Sequence, residues 1–166
     1  MELRIAGLAD DSVVDGDGYR FTIFTQGCPH ACPGCQNPET WDFSGGRIVD
    51  TDDLIPKILA NPLLDGVTFS GGEPFAQAAP LADLAQKLRP HGLTLWAYTG
   101  CTLDALMARQ DPAVDALLSA LDVLVDGPFL LAQRDLTLRF RGSKNQRIID
   151  MNRTRAAGHI VLKYDD

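Results

Sequence analysis

Leu63-Leu64-Asp65-Gly66-Val67-Thr68-Phe69-Ser70-Gly71-Gly72-Glu73-Pro74 is the stretch on which the fold turns. Residues 63–70, with the strand proper at 66–70, read as a short buried strand that runs directly into a turn. Two glycines let backbone approach a ligand closely, because no Cβ stands in the way. Pro74 then fixes the chain direction. Past the turn, Leu81, Leu84, Ala85 and Leu88 recur at helical spacing and stop before Pro90, and residues 93–98 return to strand character. Strand, turn, helix, strand is a βα unit, which favours parallel strands with right-handed crossovers.

The same alternation extends outward. Residues 20–25 read as the first strand. A helix is expected near Thr51, whose hydroxyl can cap it, with Leu54, Ile55, Ile58 and Leu59 on one face. Val114, Leu117, Leu118 and Leu121 mark another helix, opened by Asp111 and Pro112. Residues 122–126 form the next strand, and 146–150 and 159–164 are weaker strand candidates. The expectation is one α/β domain over residues 1–166, a partial (open) βα barrel with mostly parallel strands. Ligands in such folds collect at the carboxyl ends of strands. The segments that follow the strands, residues 71–74, 98–100 and 126–129 among them, should therefore share one rim.

The segment after the first strand is Gly27-Cys28-Pro29-His30-Ala31-Cys32-Pro33-Gly34-Cys35. Three thiolates at this spacing can face one small metal centre. An iron–sulfur cube has four irons to ligate, so three local cysteines would leave one iron open to bind and activate a molecule. Zinc in a Cys3His site that includes His30 is a second reading, although His30 is crowded inside the loop. A closed electron-transfer cluster with Cys101 as the distant fourth ligand is a third. Disulfides are a fourth, but three clustered cysteines and one remote one do not pair naturally.

Taken together, the cysteine loop and Gly71-Gly72-Glu73-Pro74 resemble the radical S-adenosylmethionine (SAM) superfamily. The resemblance implies a radical SAM barrel, a [4Fe-4S] cluster on Cys28, Cys32 and Cys35, and Gly71, Gly72 and Glu73 at the methionine end of S-adenosyl-L-methionine. It also implies reductive cleavage of the sulfonium and a 5′-deoxyadenosyl radical that abstracts hydrogen. The likeness narrows along the chain, over roughly residues 13 to 150. Val14-Asp15-Gly16-Asp17-Gly18-Tyr19-Arg20, Gln36-Asn37-Pro38-Glu39-Thr40-Trp41 and Trp96-Ala97-Tyr98-Thr99-Gly100 are similar to glycyl-radical-enzyme activases. Asp122–Phe129 and Phe140–Asp150 resemble the activating proteins of anaerobic (class III) ribonucleotide reductase. What this implies is a glycyl radical enzyme as partner, most closely anaerobic ribonucleotide reductase, and a flavodoxin-type electron donor. Cys101 departs from the family pattern, which has an aromatic residue there. A second reading of the same superfamily is a small-molecule enzyme like the 7-carboxy-7-deazaguanine synthases.

Rim position adds Thr99 and Asp126 as candidates for the ribose or carboxylate side of the cofactor, Asp126 being equally suited to cap a turn at Gly127. Asn145, Gln146 and Arg147 are candidates for cofactor or partner contact, or a solvated turn. His30 reads as packing beside the cluster loop and tuning it, and Trp41 as a lid. Met107 reads as core, in register with Leu103 and Leu106. His91 and His159 form no catalytic pair. At 166 residues and 45% hydrophobic composition the chain can bury a core. A net charge of −7 argues against a nucleic-acid groove. No apolar run is long enough to cross a bilayer and no signal peptide precedes the first strand, so a cytoplasmic location is expected.

Overall fold

Seven strands and five helices follow one another over the residues that the computed structural model describes, 1–35 and 37–164. Gln36, part of the loop after the third cysteine, lies outside them. The strands are β1 (Glu2–Ser12), β2 (Arg20–Thr25), β3 (Arg47–Asp50), β4 (Gly66–Gly71), β5 (Thr94–Tyr98), β6 (Val123–Asp126) and β7 (Arg147–Asp150). The helices are α1 (Thr51–Leu59), α2 (Ala78–Leu88), α3 (Leu103–Ala108), α4 (Pro112–Ala120) and α5 (Met151–Ala157).

All seven strands form one sheet in the order β3-β1-β2-β4-β5-β6-β7. Its centre is parallel: β2 pairs with β4, β4 with β5 and β5 with β6. The margins are antiparallel, β1 on β2, β3 on β1 and β7 on β6. "Mostly parallel" therefore describes the centre alone. The reason lies in the connections, since a parallel pair needs a crossover, usually helical, whereas β1 to β2 is a short loop and β6 to β7 a segment with no α-helix. Strands β1 and β3 escaped the sequence reading, so residues 20–25 are the second strand. Leu63 is exposed, and β4 begins only at Gly66.

Alternation along the strands sorts two faces. Leu3, Ile5, Phe21, Ile23, Val67, Phe69, Leu95, Ala97, Leu124 and Ile149 join one core with the buried residues of all five helices. The other face of the parallel strands carries Arg20 and Thr22 from β2, Thr68 from β4, and Trp96 with Val123, Val125 and Ile148 in a smaller cluster. The helices thus cover one side and leave the other for a cavity. At the amino ends of the strands the buried Arg20 guanidinium donates to Thr68 Oγ1 (2.7 Å), Thr94 Oγ1 (2.8 Å) and the carbonyls of Asp17, Val67 and Thr94, lying 5.4 Å from the Trp96 ring. Burial lowers its pKa to about 10. This staple holds β2, β4 and β5 together opposite the rim where the candidate residues lie.

Local signals were read with uneven success. Asp111 caps α4 through Ala113 N–H at 2.9 Å, with Pro112 following as expected. At α1 the cap is Asp50, which accepts from Asp52 N–H, while the Thr51 hydroxyl meets the N-terminal ammonium. Met107 is 58% exposed, because α3 is short and presents Leu103 and Leu106 inward. Residues 159–164 form no strand; a single bridge joins Leu162 to Ile149.

Candidate metal and cofactor site

The cysteine loop leaves the carboxyl end of β2, the Gly71–Pro74 turn that of β4, Thr99 and Gly100 follow β5, and Gly127 to Phe129 follow β6. Because these four strands are parallel, the four segments reach one rim. Cys28, Cys32, Cys35, Gly71, Gly72, Thr99, Gly100, Gly127 and Phe129 line one cavity of about 660 Å³. Cys101 and the candidates Glu73 and Asp126 are not among its lining residues.

The loop turns its thiols by using three left-handed residues, Gly27 (φ +109°), Ala31 (φ +47°) and Gly34 (φ +76°). All four cysteines are free thiols, so the disulfide reading fails. Cys35 N–H donates to the Cys32 carbonyl (3.1 Å), and Asn37 N–H donates to Cys35 Sγ (3.4 Å). Amide-to-sulfur bonds of this kind accompany metal-bound thiolates. Burial pushes the Cys28 thiol up, so a bound cation is what favours its thiolate form. A second fit to a bound group is the Trp41 indole N–H, which is buried on the cavity wall without a hydrogen-bond partner.

The Gly-Gly-Glu-Pro turn is stitched to the cysteine loop. Gly72 N–H donates to the Thr25 carbonyl and Glu73 N–H to the Gly27 carbonyl, both at 2.8 Å. A Cβ at Gly72 would lie 2.9 Å from Gly27 C, and Gly71 has φ +92°. The glycines are thus required by the neighbouring loop as well as by any ligand. Glu73 is 2% exposed and its carboxylate accepts from Thr99 Oγ1 (2.9 Å), Gly100 N–H (2.8 Å), Phe75 N–H (3.1 Å) and His30 Nε2 (2.6 Å). The bond to Glu73 raises the His30 pKa. His30 Nε2 is turned to that carboxylate, whereas the Cys3His zinc reading needs it turned to the three loop thiols.

Asp126 is completely buried and paired with Arg147 (Nε 2.9 Å, Nη2 2.5 Å), and it also accepts from Leu103 N–H (2.8 Å) at the start of α3. Three further bonds bind the same two segments. Gln146 Nε2 donates to the Gly127 carbonyl (3.1 Å), Asn145 Nδ2 to the Pro128 carbonyl (2.7 Å), and Leu130 N–H to Ser143 Oγ (3.2 Å). Residues 126–130 and 143–147, far apart in sequence, therefore form one interlocked flap. Phe129 and Leu131 carry it onto Gly34 of the cysteine loop.

The sequence reading missed Arg139 and Arg141 on the cavity wall, with Phe24, Ser70 and Phe140. A usable signal existed: Arg134, Arg139, Arg141, Lys144 and Arg147 fall within fourteen residues of a chain whose net charge is −7.

Comparison with known proteins follows this geometry. Residues 14–149 match the family described as "4Fe-4S single cluster domain". The anaerobic ribonucleoside-triphosphate reductase-activating protein of Haemophilus influenzae is 38% identical over 144 residues, covering 81% of this chain and 89% of that protein. Its counterpart in Vibrio cholerae is 40% identical over the same coverage. The pyruvate formate-lyase 1-activating enzyme of Escherichia coli is 34% identical over 127 residues, 74% of this chain but 50% of that protein. The protein thus belongs to the single-cluster 4Fe-4S domain family, and within it to the anaerobic ribonucleoside-triphosphate reductase-activating proteins.

Proposed function

We propose that this protein is a radical SAM activase that generates a glycyl radical on a partner enzyme, the anaerobic ribonucleoside-triphosphate reductase. The observation that carries the reading is the placement of three cysteine thiols on one cavity wall, with Gly71, Gly72 and Thr99 lining the same cavity. Cys28, Cys32 and Cys35 would hold a [4Fe-4S] cluster, with S-adenosyl-L-methionine bound beside it. When bound, the reduced cluster would supply the electron for reductive cleavage of S-adenosyl-L-methionine, the chemistry that leads to removal of a hydrogen atom from glycine on the partner.

The chain's own residues do the rest. Gly71 and Gly72 offer backbone to the methionine end of the cofactor, and Thr99 lines the adjoining wall. Glu73 positions rather than binds: it locks His30, Thr99 and Gly100 together. Asp126 acts through Arg147, holding the flap. Phe24, Tyr98, Phe129 and Phe140 line the cavity and shield a reactive intermediate from water. The sheet, with its parallel centre and one uncovered face, supports a single-domain partial barrel of the radical SAM type, open enough for a partner's loop. A flavodoxin-type protein serves as electron donor. Nucleic acid and membrane are not partners: the net charge is −7, and no helix among the described residues is long and apolar enough to cross a membrane. The cytoplasm is the proposed location.

The test is anaerobic reconstitution with iron and sulfide, followed by reductant and SAM. Formation of 5′-deoxyadenosine that Cys32→Ala abolishes, and a glycyl radical signal on added reductase, are the expected results. An intact reduced cluster that yields neither would overturn the assignment.

A further inference from the structure

Where the cysteine loop meets two residues outside the cavity lining, Glu73 and Cys101, three potential ligand atoms of different chemistry come together. His30 Nε2, Glu73 Oε1 and Cys101 Sγ all lie within 4.8 Å of one another. His30 Nε2 is 2.6 Å from Glu73 Oε1 and 3.8 Å from Cys101 Sγ. Zinc–ligand bonds of ~2.0–2.3 Å in a tetrahedral site place donor atoms about 3.3–3.7 Å apart. The imidazole–sulfur separation of 3.8 Å would need to close only slightly, and the imidazole–carboxylate pair to open by under an ångström. We propose that His30, Glu73 and Cys101 form a second metal site, for one borderline-soft divalent cation such as Zn²⁺, using none of the three loop thiols.

The surroundings favour such a site. Arg109 Nη2 donates to Cys101 Sγ at 3.3 Å and offsets part of the burial that pushes this thiol up, so a bound cation is what would favour the thiolate. Thr99 Oγ1, Gly100 N–H and Phe75 N–H keep the Glu73 carboxylate oriented, the outer support that metal-bound carboxylates use. The His30 side chain is 23% exposed, so solvent can enter and fill a fourth position. Thiolate, imidazole and carboxylate together select Zn²⁺ over hard cations such as Mg²⁺ or Ca²⁺. Binding releases the thiol proton and the proton shared by His30 and Glu73. The cation would then cross-link the cysteine loop, the turn after β4 and the segment after β5 through three coordinate bonds, where the His30–Glu73 bond and the bond from Glu73 N–H to the Gly27 carbonyl now tie the loop to that turn.

The protein with Cys28, Cys32 and Cys35 all changed to Ala retains Cys101 as its sole cysteine of four. Titrated anaerobically with Co²⁺, it should bind one equivalent and show a thiolate-to-cobalt charge-transfer band, which equimolar Zn²⁺ removes. Adding C101S should abolish the band and weaken Zn²⁺ binding by ~100-fold or more, since losing a ligand exceeds the 10–100-fold typical of an outer-shell loss. No band, or Zn²⁺ affinity unchanged by C101S, overturns the proposal. Circular dichroism checks that the triple variant folds. Where it does not, metal analysis of the cluster-loaded wild type and C101S after equal Zn²⁺ exposure decides the matter. One retained zinc in the former and none in the latter supports the site; equal zinc refutes it. No readout involves SAM turnover, so failure here leaves the activase reading untouched.

Discussion

Both carboxylate oxygens of Glu73 are occupied by protein donors, in a group that is 2% exposed. Removing the carboxylate in Glu73→Ala strands the buried donors of Thr99, Gly100 and Phe75, each costing about 1–3 kcal/mol if nothing replaces the bond. Water entry through the cavity offsets part of that, so a loss of about 3 kcal/mol is expected. That corresponds to a Tm lower by ~6–12 °C in a chain of this size, measurable by calorimetry. A change under about 1 kcal/mol would show that the network is replaceable by solvent. Asp126 poses a similar case with a charged partner. Asp126→Ala leaves Arg147 and Leu103 N–H unpaired, and breaking a buried pair costs ~3–5 kcal/mol. The Arg147 side chain is one-third exposed (33%). A value of about 2–3 kcal/mol is therefore expected from urea unfolding, because solvent screens the stranded cation. The double variant with Arg147→Met should recover a large part of it.

Two elements carry predictions of their own. Between β6 and β7 the flap carries one short 3-10 turn, Leu131–Gln133, and no α-helix, so its order depends largely on side-chain bonds to backbone. Gln146 alone makes three: Nε2 to the Gly127 carbonyl, and Oε1 from Gly142 N–H (2.9 Å) and Ser143 N–H (3.2 Å). Gln146→Ala should cost about 2 kcal/mol locally and speed amide exchange in residues 128–146 by ~30-fold, while the amides of α2 stay protected. Uniform acceleration would instead indicate global destabilisation. Helix α1 gives a pH prediction. The Asp50 carboxylate is held below its ordinary value by accepting from Asp52 N–H, then from the N-terminal ammonium. A lowered folded pKa means that this stabilisation is complete above the ordinary carboxylate range and is lost as pH falls through the folded value. Asp50→Asn should therefore flatten the decline in urea midpoint between neutral pH and pH about 3. Identical pH profiles for both proteins would show that the cap charge contributes nothing.

At the scale of the whole molecule, the main core and the cysteines lie on different sides of the sheet. Leu81, Leu84, Leu88, Leu117 and their neighbours pack the helices against one face, and none of the three loop cysteines belongs to that cluster. Small metal-dependent domains unfold when stripped, because the metal replaces a core. Here the iron-free protein should keep its far-ultraviolet dichroism and unfold cooperatively. Loading the cluster should raise its Tm through binding to the folded state alone. Loss of the fold on chelation would contradict this. The flanking strands explain another whole-molecule property: antiparallel β3 and β7 close no ring, so the cavity keeps an open side.

The sequence determined what depends on neighbours along the chain. Cysteine spacing, the Gly-Gly-Glu-Pro turn, the α4 cap and the apolar periods of α2 and α4 are local signals, and each was legible as such. Strand β1 was not, because its burial alternates irregularly and its pairings with β2 are broken by register shifts. Leu63 and Met107 were misassigned for a related reason: an apolar residue next to a periodic segment carries no mark of where the element begins or which way it faces. Only the tertiary structure decided what each rim residue does. Glu73 read as a cofactor contact from the family resemblance and Asp126 from its rim position, and in the structure their carboxylates accept from His30, Thr99, Leu103 and Arg147, 21 to 43 residues away. The interlock of Gly127 and Pro128 with Gln146 and Asn145, and the meeting of His30 with Cys101, likewise join residues 17 to 71 positions apart. No local pattern encodes which polar groups a parallel sheet will bring to one edge. That is set by strand order, and strand order is fixed by packing of the whole core.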